Sequence, residues 1–166
     1  MESGTSYYTF DTDLNWLLAQ ARKRAADGRD VLVLTRRPRR WLERRHDLAG
    51  IDTMHFKVDK SVRQEGHLSP ENIGRVFTHI KAFLDGHPDP IVIIDGAEML
   101  AFYNGFNFFI KLLYTINDVV WASGGSVVFL IDPTTFHRRE LHIIQKELTE
   151  LRNPNSRVTI EHAAEG

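Results

Sequence analysis

Three short runs, DVLVLT (30 to 35), IVIID (91 to 95) and SVVFLID (126 to 132), are apolar with almost no alternation. A strand with one face in water alternates apolar and polar residues, whereas one buried on both faces reads as a continuous Val, Ile and Leu run. Segments of helical length separate these runs. Hairpins are thereby excluded, because parallel neighbours need a crossover of a dozen or more residues. The expected fold is α/β, a three-layer sandwich with a mostly parallel central sheet of about five to six strands, helices on both faces and right-handed crossovers.

The rest of the chain fits that plan. SYYTF (6 to 10) and TMHFKV (53 to 58) read as further strands, and SRVTIEH (156 to 162) as a final edge strand. Leu14, Leu17, Leu18, Ala21 and Ala25 recur at helical spacing, with Asp11 or Thr12 as cap and Gly28 as stop. A short helix begins with Pro38 at its first position. Ser69 as cap and Pro70 at the first helical position open another, with Ile73, Val76, Phe77, Ile80 and Phe83 on one face. A long, mostly buried helix spans roughly 106 to 122, ended by Gly124 and Gly125, and an amphipathic helix spans 134 to 151. A single domain over 1 to 166 is expected, since this length suits one core that hides on the order of two-thirds of the unfolded chain's surface.

Composition removes several functions. The chain has no cysteine, which excludes disulfides, thiolate-ligated metals and a thiol nucleophile. Twenty-one basic against 22 acidic residues leave a formal charge of -1, so no global field attracts nucleic acid. No apolar run approaches the ~20 residues of a bilayer span, and MESGTSYYTF lacks the basic and apolar segments of an export leader. A cytoplasmic place with no membrane partner is expected. The eight histidines show no HExxH or three-ligand grouping, and no strand is followed by GxSxG, so neither a metal site nor a serine nucleophile is expected.

In parallel sheets ligands bind at the carboxyl ends of the strands. Those ends carry Asp11, Thr35 with Arg36, Asp59, Asp95 with Glu98, and Asp132. One reading is a magnesium site of a phosphoryl-transfer enzyme. The other is that aspartate before Gly or Pro starts a loop by accepting backbone N–H bonds. The phosphate loop GxxxxGK[ST] that would decide for the first is missing: YYTF passes into DTDL without a glycine, and the lone Lys60-Ser61 pair stands in a loop.

Two surfaces stand out. RRPRRWLERRH crowds six arginines around Trp41, with Arg37, Arg40 and Arg44 on one helical face; it reads as a solvated face, a dock for an acidic partner, or a nucleic-acid contact. In FYNGFNFF, Asn104-Gly105 permits a left-handed turn. Phe102 and Tyr103 flank it as a candidate contact surface together with Asn104.

DVLVLTRRP, IVIIDGAEMLAFYNGF and VVFLIDPTTFHRRELHIIQKEL together closely resemble the archaeal domain-of-unknown-function family 835. The matching residues are Thr35, Arg36 and Pro38; Asp95, Gly96, Glu98 and Leu100; Asn104, Gly105 and Phe106; and Asp132 and Pro133. Met99 stands where the family usually has an aromatic. The resemblance covers about residues 6 to 151 and implies a P-loop-NTPase-like fold, similar to a RecA/KaiC-like ATPase core, without the phosphate loop. It implies no catalytic activity and no cofactor. Members often occur attached to PAS, receiver or histidine-kinase modules, so the implied partner is a sensor or receiver-type signalling component, although this chain leaves no room for an attached sensor.

The expected function is a non-enzymatic regulatory or protein-interaction domain, with Arg36 paired to Asp95 or Asp132 across the strand ends. The alternative is a nucleotide-binding protein or weak NTPase, with Asp95, Glu98 and Asp132 around magnesium and Arg36 or Arg37 on the phosphates. A third reading is nucleic-acid binding through the cluster from Arg36 to Arg45. Homodimerisation through an edge strand or the helix at 134 to 151 is open.

Overall fold

The computed structural model describes residues 1–58 and 66–156. Among them, strands β1 (Thr5–Thr9), β2 (Val31–Thr35), β3 (Ile51–Phe56), β4 (His67–Leu68), β5 (Ile91–Asp95), β6 (Ser126–Leu130) and β7 (Thr149–Glu150) form one sheet. Its order is β4-β3-β2-β5-β6-β1-β7, and every pairing is parallel. The sheet therefore has seven strands rather than about five to six. The additional ones, β4 and β7, are two residues each and too short to carry a pattern in sequence. The edge strand expected at 156 to 162 falls almost wholly outside the described residues, as does Asp59.

All five residues of β2 and of β6 are buried, as unbroken apolar runs require. Helices cover both faces. On one, α1 (Leu14–Ala26) and α2 (Arg39–Glu43) bury Leu14, Leu17, Leu18 and Leu42 against Val33, Ile93 and Val128. On the other, α3 (Ile73–Gly86), α4 (Ala97–Asn104), α5 (Phe106–Ser123) and α6 (Arg138–Glu147) pack against Leu34, Ile94 and Phe129. Burying each such aliphatic side chain contributes about 1.5–3 kcal/mol. Among the described residues no helix is long and apolar enough to cross a membrane.

The two layers follow from chain direction. From β1 to β2, β3 and β4 the chain steps toward one edge of the sheet; from β5 to β6 and β7 it steps toward the other. Right-handed crossovers place opposite steps on opposite faces. β2 and β5 are neighbours whose onward connections diverge, toward β3 on one side and toward β6 on the other.

Helix starts differ from expectation by a residue or more, each for a local reason. Asp13 rather than Asp11 or Thr12 caps α1, accepting from the Asn15 N–H at 3.0 Å, while Asp11 accepts from the Asp13 N–H and holds a turn ahead of the helix. Asn72 rather than Ser69 caps α3, through the Arg75 N–H, and the preceding Ser-Pro-Glu forms a turn closed onto Ser69. Pro38 sits at the cap of α2, not inside it. The segment after β5 is itself helical, so α4 and α5 are two helices jointed at Gly105, whose φ of +87° is the left-handed residue of the Asn-Gly pair. The amphipathic segment expected over 134 to 151 divides into a 3₁₀ turn, α6 and β7.

Candidate functional site

The end of β2 faces the end of β5 in register, Thr35 opposite Asp95. The Thr35 hydroxyl donates to Asp95 Oδ2 at 2.8 Å and its oxygen accepts from the Arg37 N–H at 3.1 Å. The Arg37 guanidinium then lies 3.7 Å from the same carboxylate oxygen. Asp95 is thus met by Thr35 and Arg37, not by Arg36. The reason is the bend that follows β2: the Thr35 hydroxyl oxygen, by accepting the Arg37 N–H, holds Arg37 beside Asp95, while Arg36 is left exposed. Neither Asp95 nor Asp132 has Arg36 as an ion-pair partner among the described residues.

The loop after β2 is held from below as well. His55 is buried on β3. Its Nδ1 is 2.7 Å from the Arg37 carbonyl, which only accepts, so Nδ1 carries the proton and Nε2 accepts from the Thr53 hydroxyl at 3.0 Å. Burial lowers the pKa of His55, against the Arg37 carbonyl, which raises it. Neutral His55 therefore anchors the backbone that presents Arg36 and Arg37. No spacing signal in the sequence distinguishes this histidine from the surface ones.

The other strand-end carboxylates also hold loops. Glu98 Oε1 accepts from the Asp132 N–H at 2.6 Å, Asp132 Oδ1 accepts from the Thr134 N–H and hydroxyl, and Asp11 Oδ2 accepts from the Asn153 amide at 2.7 Å. Burial raises the pKa of Asp95, with the Thr35 hydrogen bond and Arg37 opposing it. Burial also raises that of Glu98; its backbone bonds oppose this, while the charges of Asp95 and Asp132 add to it. Among the described residues no group of three or more His, Asp or Glu side chains is placed to hold a metal ion. At the start of α1, where a helix dipole would favour a phosphate, the Asp11 and Asp13 carboxylates already occupy the turn.

Across these strand ends runs an open trough made of two adjoining cavities, of about 620 and 600 Å³. Arg36, Glu98 and Met99 line both. Pro38 and Trp41 line the first; Phe102, Tyr103, Phe106 and Phe136 wall the second, which His137 and Glu140 also line. Phe102 is 83% exposed and stands edge-on to Tyr103 at 5.3 Å between ring centroids. The sequence marks Phe102 and Tyr103; it does not mark Phe136 or Glu140, which a continuous helix over 134 to 151 would have carried elsewhere. The half-buried Asn104 stands beside Phe102 and Tyr103, its amide donating to the Pro70 and Leu100 carbonyls at 2.7 and 2.9 Å and tying α4 to the turn before α3.

The arginine cluster does not form the single helical face expected of Arg37, Arg40 and Arg44. With α2 only five residues long, Arg37 precedes it and Arg44 caps it. Arg37 and Arg45 instead stack on Trp41, at 4.6 and 4.0 Å from the ring centroid, while Arg39 pairs with Glu43. Arg40 and Arg44 are exposed.

The family model described as "Protein of unknown function (DUF835)" matches residues 17–148. No curated protein matches the chain.

Proposed function

We propose that this chain, which belongs to the DUF835 family, is a non-enzymatic regulatory domain that docks a segment of a partner protein, a signalling component, in the trough at its strand ends. The observation that carries this reading is the pairing of an aromatic wall, exposed at Phe102 and Tyr103, with the Arg36 guanidinium, which has no ion-pair partner among the described residues. Phe102, Met99 and Phe106 offer apolar contact beside Arg36. Arg binds carboxylates through a planar two-pronged fork. The segment that fits presents a large apolar side chain next to an Asp or Glu. Asp95 and Glu98, the groups a catalytic reading needs, are engaged by Thr35, Arg37 and the Asp132 N–H.

Photo-crosslinking from position 102 in the native cell, with position 23 on the opposite helical layer as control, tests this reading. A defined protein captured only from position 102, whose purified form binds about tenfold more weakly to Arg36→Ala, supports it. Calorimetry with magnesium and ATP, GTP or cyclic nucleotides tests the runner-up. Binding tighter than ~100 μM, about 5.5 kcal/mol, together with no capture at position 102, would replace docking by nucleotide binding. Nucleic-acid binding is weakened by Arg37 and Arg45 covering Trp41, whose ring would otherwise stack on a base; a salt-dependent shift of labelled DNA or RNA would revive it.

A further inference from the structure

The outer face of α5 carries Phe108, Lys111, Tyr114, Asp118 and Trp121. Steps of three and four residues align them in one stripe, opposite the buried Phe109, Leu113, Ile116 and Val120. Phe108 is 60%, Tyr114 45% and Trp121 65% exposed. Single exposed apolar residues are ordinary, whereas three aromatics along one helix mark a contact surface. The order of the stripe says what covers it. Lys111 and Asp118 stand at equal distances on either side of the midpoint between Tyr114 and Thr115, and so do Phe108 and Trp121.

We propose that this stripe is a self-association surface on which two copies of the chain pack α5 against α5, antiparallel, about a twofold axis through that midpoint. A twofold contact requires a patch that complements itself, residue i on j and j on i. Here Lys111 of each copy faces Asp118 of the other, and the Phe108 end of one helix lies beside the Trp121 end of the second. A parallel pairing would set lysine on lysine and aspartate on aspartate. Among the described residues neither Lys111 nor Asp118 forms an ion pair within its own chain. Two turns apart, about 10.5 Å along the helix, they do not reach each other. The sheet edges offer little competition, because β4 and β7 are two residues each and give almost no ladder to extend. The surface lies on α5, not on the edge strand or the 134 to 151 segment that the sequence suggests.

Sedimentation velocity of the full chain over a concentration series tests the pairing. The native chain is expected to dimerise. Lys111→Glu alone and Asp118→Lys alone should each raise the dissociation constant about tenfold or more, since each sets like charges together twice. The double variant Lys111→Glu/Asp118→Lys restores both pairs with reversed sign and should recover near-native association. All three variants change exposed positions only, and thermal melts confirm that they fold. A native chain that stays monomeric at every concentration, single variants that associate unchanged, or a double variant as weak as the singles would each overturn the proposal.

Discussion

Asp95 sits where a metal-binding aspartate would, yet a hydroxyl at 2.8 Å and a guanidinium at 3.7 Å satisfy it. Burial still dominates its titration: its folded pKa is raised above the ordinary 3.8, and that of Glu98 above 4.5. A carboxyl whose folded pKa is raised binds its proton more tightly when folded. Its contribution favours the fold below the unfolded value and is lost as pH rises through the raised folded value. Asp95→Asn is therefore expected to flatten the fall in stability above pH 3.8 and to be less destabilising at pH 7 than at pH 3, as urea titrations across that range would record. The two neighbouring arginines should separate. Arg37→Ala removes a half-exposed ion pair and a stack on Trp41, at a cost of about 1 kcal/mol, whereas Arg36→Ala should leave the denaturation midpoint unchanged and weaken the partner alone. An Arg36 variant that unfolds as readily as the Arg37 variant would return Arg36 to the structural role first expected of it.

Among the elements, the passage from β5 into α4 sets the trough's floor, and Gly96 makes it possible. Its φ is +148°, and a Cβ there would lie 3.1 Å from the Phe56 ring. Gly96→Ala thus combines backbone strain with a close contact and should cost about 1–3 kcal/mol, seen as a lowered urea midpoint. A neutral result would mean that β5 and α4 can meet at another angle. The Gly105 joint was readable in part: Asn-Gly announces a left-handed residue, but not that a helix runs up to it from the other side. Cap positions were readable in kind and misplaced in number, because Asp11, Thr12 and Asp13, or Ser69 and Asn72, offer several acceptors, and only the path of the incoming chain selects one.

At the scale of the whole molecule, both helical layers rest on one sheet and neither has a sheet of its own. The expected consequence is one cooperative unfolding transition. Trp16 and Trp41 pack with the α1 and α2 layer, so tryptophan fluorescence weights that face, while far-UV circular dichroism reports both. The two probes should give coincident urea curves; separated curves would show that the layers unfold independently. The connections leaving β2 and β5 diverge to opposite sides, and this places Thr35, Arg36, Arg37, Asp95 and Glu98 at one crevice. Strand order depends on which strands meet, and no local pattern records that. The strands β2, β5 and β6 and their two-sided burial were legible because being apolar on both faces is a property of the residues themselves, whatever their neighbours. Which arginine meets Asp95, which carbonyls the Asn104 amide reaches, and how Phe102 and Phe136 come to share a wall were decided only by tertiary structure. Each depends on the side of the chain a residue leaves from and on how two distant segments pack, and both are settled by long-range contacts that a linear pattern does not contain.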